Sequence, residues 1–317
     1  MKYPVFDLHC DTILTLVDQN GNHRHSLRKN DGHIDLERGK VLQGYCQCFA
    51  CFTTPFMEKW YGRTPQEIFR LELQLLEKSL AENSDILSQA KSAFEVEENR
   101  RSGLISAVFT LEGTAGIEYD PAALEGIWDK GFRIVSLGWN EQNVLCGSNV
   151  TGGGLTDLGR VFVREAQRLG ILIDVSHISD EAFWDIMKIT EAPVIATHSN
   201  SRSICGEPRN LTDDMFRQIC ETGGVAGFNQ YAAFVGNPAT MELACRHFLH
   251  FMELDPNAKH IALGGDLDGC EELTQGFYGI QSYPLFAEKL QQMGLSEENV
   301  GDIYWNNAIG VMERCCI

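Results

Sequence analysis

Near the start of the chain, His9 and Asp11 lie two residues apart in the run Phe6-Asp7-Leu8-His9-Cys10-Asp11-Thr12. On a β-strand, side chains at i and i+2 share a face, so an imidazole and a carboxylate at this spacing can reach one cation. A His-x-Asp pair also arises by chance, and a strand-end turn with a satisfied histidine accounts for it as well. Recurrence is what gives the pair weight. Glu112 closes Val108-Phe109-Thr110-Leu111-Glu112, His177 closes Ile173-Asp174-Val175-Ser176-His177, His198 closes Val194-Ile195-Ala196-Thr197-His198, and Asp266 follows Leu263-Gly264-Gly265. Taken singly, each histidine can be hydrogen-bonded scaffold, and Asp266 or Asp268 beside glycine can be turn chemistry. Gathered on one rim, three imidazoles and three carboxylates are costly unless a cation compensates them. Mixed nitrogen and oxygen donors around an open position suit zinc first.

For these residues to meet, distant segments must end at one place. Eight apolar runs of strand length can be counted, at 5–11, 44–52, 105–112, 133–138, 171–176, 194–198, 224–229 and 260–266. Between them lie helical patterns at 65–81, 121–130, 157–169, 180–188, 212–221, 241–254 and 284–293. Ser179-Asp180-Glu181 and Thr212-Asp213-Asp214 are helix starts, and Gly131 and Gly170 stand where a left-handed residue ends a helix. Such alternation implies a parallel sheet, and eight units favour closure into a (β/α)8 barrel of TIM type, whose working groups come from the C-terminal strand ends. No Gly-x-Gly-x-x-Gly follows a strand, which removes the usual dinucleotide site. Residues 1–317 are expected to form a single catalytic domain, with a helical insertion at about 53–104. Gly152-Gly153-Gly154 has the character of a flexible loop over the barrel mouth, since no Lys-Ser or Lys-Thr follows to make a phosphate cradle.

With 44 acidic against 26 basic residues, the formal charge of −18 disfavours nucleic acid or an anionic membrane as partner. The first residues lack an apolar signal region, and no stretch reaches membrane-spanning length. Eleven cysteines, an odd number, imply a reduced, cytoplasmic protein. Cys46, Cys48 and Cys51 fit a strand with small apolar fillers better than a zinc site, since no Cys-x-x-Cys partner exists elsewhere. His23 and His25 belong to a polar loop, His247 and His250 to a helix, and His260 to a strand start, all positions of surface or scaffold.

The ordered set His9-x-Asp11, Leu111-Glu112-Gly113, Asp174-x-Ser176-His177, Thr197-His198-Ser199-Asn200, Arg209-Asn210-Leu211 and Gly264-Gly265-Asp266-Leu267-Asp268-Gly269 resembles the membrane (renal) dipeptidases, metallopeptidase family M19. The likeness runs over nearly the whole chain and includes His33 in a segment of structural role. It implies an amidohydrolase-like barrel with two zinc ions per chain that hydrolyses small dipeptides by a metal-bridging hydroxide. Carried over by residue, His9 and Asp11 would hold one zinc, His177 and His198 the other, and Glu112 would bridge both. Asp266 would shuttle a proton to the leaving amine, and Arg209 would clamp the substrate carboxylate. A surface salt bridge is the plainer reading of an isolated arginine. A homodimer is compatible with the resemblance alone.

One position departs from the pattern. After the fourth strand, vertebrate members carry a substrate-contacting histidine where this chain has Trp139. An indole can wall a pocket and donate one hydrogen bond, but it takes no proton. Carbonyl stabilisation would then rest on the metals, Asn140 or Asn143. Another dinuclear-metal barrel hydrolase, acting on an N-acyl amino acid, cyclic amide or lactone, and a non-catalytic metal-stabilised binding protein remain as alternatives at this level.

Overall fold

The structure, a computed structural model, describes residues 2–17 and 26–316, so His23 and His25 lie outside the described residues. Eight strands make the central ring: β1 Val5–Cys10, β2 Tyr45–Phe52, β3 Ile105–Glu112, β4 Phe132–Ser136, β5 Leu172–Asp174, β6 Val194–Ile195, β7 Ala226–Phe228 and β8 Ile261–Leu263. Consecutive strands pair in parallel from β1 to β6 and from β7 to β8, and β8 pairs with β1. A parallel bridge between Ala196 and Ala226 completes the ring. Backbones come closest at this seam: a Cβ on Gly227 or Gly264 would stand 2.0 or 1.7 Å from the Thr197 carbonyl oxygen, so only glycine fits.

The ring has the expected number of strands, but several stop early. β5, β6 and β8 end before His177, His198 and Asp266 because side chains capture the backbone donors beyond them. Asp174 Oδ1 accepts from the amides of Ser176 (2.9 Å) and Thr197 (2.8 Å). Asp7 Oδ1 accepts from the amide of Gly265 at 2.9 Å. The three residues therefore ride on turns, and His177 (φ 72°) and Asp266 (φ 54°) are left-handed. Asp11 is likewise no strand residue but the N-cap of the short helix Thr12–Thr15, so simple strand alternation does not place it beside His9. The register of β1 against β2 also slips between Asp7 and Cys10, the kind of irregularity that re-aims a side chain near a site.

The helices follow the sequence pattern within a residue or two, Met241–Leu254 without change. Thr64, Ser179, Thr212 and Thr240 each cap the next helix by accepting an amide hydrogen with the side chain. Between β2 and β3 run helices Met57–Tyr61, Pro65–Glu82 and Ala93–Arg101, and a strand the sequence does not announce, Leu87–Gln89, which pairs with β3. Gly152, Gly153 and Gly154 are not a flexible loop. They belong to strand Gly152–Leu155 of a hairpin with Cys146–Ser148, held by the Ser179 hydroxyl donating to the Gly153 carbonyl at 2.5 Å.

One residue on or beside each strand (Leu8, Cys48, Val108, Ile134, Leu172, Ile195, Val225, Ala262) joins a single apolar cluster with Trp305, Ala308, Val311 and Met312. The C-terminal helix Asn307–Cys315 thus plugs the ring from the end where the strands begin, leaving the opposite mouth for polar groups. Cys46, Cys48 and Cys51 are buried free thiols of β2.

Candidate metal centre

At the C-terminal mouth, the side chains of His9, Asp11, Glu112, His177, His198 and Asp266 come together, each at least nine-tenths buried. His9 Nε2 stands 3.3 Å from Asp11 Oδ2, 3.2 Å from Glu112 Oε2 and 3.9 Å from Asp266 Oδ1. On the other side of the same carboxylate, Glu112 Oε1 is 2.9 Å from His177 Nε2 and 3.9 Å from His198 Nε2. Among the described residues, two overlapping sets bring their ligand atoms within 4.8 Å of one another: His9, Glu112 and His198, and His9, Asp11 and Asp266.

Tautomers make the arrangement telling. His177 Nδ1 lies 2.9 Å from the Asn140 amide oxygen, an acceptor, so the ring proton is on Nδ1. His198 Nδ1 lies 2.7 Å from Thr197 Oγ1, whose own proton goes to Asp174 Oδ2 at 2.8 Å, so His198 also donates from Nδ1. Both Nε2 atoms then carry lone pairs and face each other at 2.9 Å. His9 Nε2 and Asp11 Oδ1 are buried without any hydrogen-bond partner. Lone pairs aimed at one point with unpaired buried acceptors around them fit a cation and little else.

The protonation pattern agrees at His177 and His198. Burial, with the Asp11 charge, pushes the Glu112 carboxyl up to about 8. Burial also raises Asp266, against the pull of His9. Burial opposes charge on His9, but Glu112 and Asp11 prevail and hold it well above the usual imidazole value. His177 and His198 are driven well below that value by burial, reinforced by the charges of Arg209 and His9. Nitrogens that stay unprotonated are what a metal requires.

Asp266 Oδ2 accepts from Asn229 Nδ2 at 2.9 Å. Arg209 is buried, donates one hydrogen bond to Ser199 Oγ at 2.8 Å, and leaves Nε and Nη2 without partners. Its guanidinium lies 5.7 Å from the ring of Phe234, so it is no surface salt bridge. The cavity over the rim has a volume of about 440 Å³ and is lined by Trp139, Asn140, Tyr231, Phe234 and Glu271 together with Asp11, Glu112, His177 and Asp266. Arg209 stands behind Phe234 rather than on the lining. Asn143 belongs to the fold: its amide donates to Leu137 O and accepts from the amides of Leu145 and Cys146, and it is not on the cavity lining. Thr197, inside the motif Thr197-His198-Ser199-Asn200, orients His198; Asn229, which orients Asp266, carries no motif, and its only signal was a place next to a strand end.

A parallel eight-stranded barrel with this mouth defines a TIM-barrel metallohydrolase of amidohydrolase-like type. The profile of the membrane dipeptidases, peptidase family M19, matches residues 1–315, and the chain belongs to that family, metallo-dipeptidases that hydrolyse peptide bonds. An uncharacterised dipeptidase of Schizosaccharomyces pombe is 33% identical over 214 residues, 65% of this chain and 52% of that protein, so the match spans about half of that relative. A Klebsiella pneumoniae protein encoded in the pqqA 5′ region is 29% identical over 79% of this chain and 97% of its own. Among solved structures, a metallopeptidase of Rhodobacter sphaeroides liganded with a phosphinate mimic of the dipeptide L-Ala-D-Ala superposes with TM-score 0.87 at 26% identity, covering 99% of both chains. A dipeptidase of family M19 gives TM-score 0.88 at 27% identity, again with 99% of each chain covered. No helix among the described residues is long and apolar enough to cross a membrane.

Proposed function

We propose that this cavity hydrolyses the peptide bond of small dipeptides with a free carboxylate, and that it works with two Zn²⁺ per chain. His9 and Asp11 would hold one ion, His177 and His198 the other, and Glu112 would be shared. The carrying observation is the pair of lone-pair nitrogens on His177 and His198, facing each other beside a carboxylate that His9 also approaches. Bound there, zinc supplies Lewis-acid polarisation of the scissile carbonyl and a water acidic enough to attack near neutral pH.

The chain's own residues supply the rest. Asp266, anchored through Oδ2 by Asn229, keeps Oδ1 to take the proton of the attacking water and pass it to the departing nitrogen. Arg209, its unpaired donors held behind Phe234, would meet the substrate carboxylate once that ring turns aside. Trp139 walls the cavity where vertebrate relatives place histidine, and Asn140, already committed to His177 through its oxygen, keeps its amide N–H groups for the substrate. Eleven unpaired thiols support a reducing, cytoplasmic setting.

The test is metal analysis of the purified protein joined to a screen of dipeptides with L- or D-residues at the second position, the L,D-series being prompted by the Rhodobacter relative's ligand. About two zinc per chain, turnover, and loss of turnover on chelation are expected. Bound zinc with no hydrolysis of any amide or ester would leave a binding protein instead.

A further inference from the structure

The mouth has two unlike walls, and barrel topology sets them opposite each other. β2 and β6 stand four places apart in a ring of eight. The loop after β6 carries Arg209, with Phe234 of the next unit against its guanidinium. The end of β2 carries Phe52, and the helix after it, Met57–Tyr61, carries Trp60 and Tyr61. Phe52, Met57 and Ile68 form an apolar cluster separate from the barrel core, with Leu14, Tyr61 and Trp139 packed on it. Trp139 joins this cluster to the rim. Its ring centroid is 5.3 Å from that of Phe52 at 67°, 5.7 Å from that of Trp60 at 88°, and 6.1 Å from that of His177. Leu14, Phe52, Tyr61 and Trp139 all line the cavity.

We infer that this aromatic wall is the subsite for the side chain of the substrate's first residue, and that the preferred substrates are dipeptides beginning with an aromatic or large apolar residue. The inference rests on the dipeptidase reading and on Arg209 as the carboxylate anchor. A dipeptide held by its carboxylate at Arg209, with its carbonyl over Glu112 and His177, extends its first residue across the mouth toward β2. There the edge-to-face rings of Phe52 and Trp139 offer a flat side chain the geometry that aromatic groups adopt with one another. The indole of Trp139 makes that surface continuous from Phe52 to the rim.

The experiment compares kcat/KM for Gly, Ala, Leu, Phe and Arg at the first position with D-Ala or L-Ala fixed at the second, in the zinc-loaded wild type and in Trp139→Ala, Trp139→Phe and Phe52→Leu. In the wild type, kcat/KM rises about tenfold or more from Gly to Phe, the range an apolar subsite can deliver. Trp139→Ala cuts the Phe/Gly ratio by about tenfold, Phe52→Leu cuts it less, and Trp139→Phe keeps most of it. The ratio is internal to each variant, so loss of folded or loaded enzyme cancels. Good turnover with a flat series, with Arg preferred over Phe, or with a ratio unchanged in Trp139→Ala overturns the subsite and leaves the dipeptidase reading standing. Turnover of no dipeptide in the series overturns both.

Discussion

Two kinds of buried carboxylate lie within one barrel. Asp174 is saturated: Oδ1 accepts from the Ser176 and Thr197 amides, and Oδ2 from the Ser136 and Thr197 hydroxyls at 2.6 and 2.8 Å. Asp7 is saturated too, with the amides of His9 and Gly265 on Oδ1 and the Tyr283 hydroxyl on Oδ2. Glu112 and Asp11 have no such donors. They face imidazole nitrogens instead, and Asp11 Oδ1 has no partner at all. The saturated Asp7 and Asp174 join strand ends and shape the rim; the unsaturated Glu112 and Asp11 are kept for a ligand of positive charge. Burial alone does not distinguish the two kinds. The number of donors that the fold aims at each does.

That contrast can be broken or sharpened by substitution. Glu112→Gln should lower zinc content and cut turnover by about 10⁴-fold, while the metal-free protein melts no lower than the metal-free wild type. Unchanged zinc content in this variant would end the shared-ligand role. Asp266→Asn should retain zinc and lose about 10³-fold in kcat; full activity would remove Asp266 from the mechanism. For Arg209→Ala, kcat/KM should fall about 10²-fold on dipeptides, the loss of a charge-assisted pair of hydrogen bonds. Dipeptide amides should suffer far less, and equal losses on both would dismiss the carboxylate anchor.

On the saturated side the effects are of stability. Asp174→Asn turns an amide NH₂ toward hydroxyls that now donate, so it should cost about 2 kcal/mol in denaturant unfolding of the metal-free protein. His247 is a further satisfied group: it accepts from the Ser201 amide at 3.1 Å and donates to the Val235 carbonyl at 3.0 Å. Burial pushes it down to about 4. Below pH 6.5 the unfolded chain binds a proton that the folded chain refuses, so stability falls as pH drops toward 4 and is regained as pH rises. Between pH 6.5 and 5.5 the loss is about 1 kcal/mol, to be measured as the difference in pH dependence between wild type and His247→Gln. Equal slopes would show that the imidazole is not held neutral.

Much of this site was legible before any coordinates. Glu112, His177, His198 and Asp266 could be placed together because parallel barrels bring the C-terminal strand ends to one rim. Asp11 was found for an incomplete reason, since it is a helix N-cap and reaches His9 through a turn. Asn143 had the composition of a substrate contact and proved to be a turn fastener. The strand Leu87–Gln89 and the helical stretch that plugs the barrel were silent, the first because three residues carry too little periodicity, the second because its apolar face answers to all eight strands at once.

By itself, the sequence determined the alternation of strand and helix, the polar residues that end the strands, and the motif order that belongs to the dipeptidase family. Those are properties of neighbours along the chain, so local periodicity and spacing record them. Only the tertiary structure decided that Asp7 and Asp174 are fastened while Asp11 and Glu112 are left open, and that the strand ending at Phe52 stands opposite the strand whose loop carries Arg209. Saturation of a carboxylate depends on donors arriving from segments tens to hundreds of residues away, and the opposition of two walls depends on the order of strands around a closed ring. Neither leaves a trace in any short stretch of sequence.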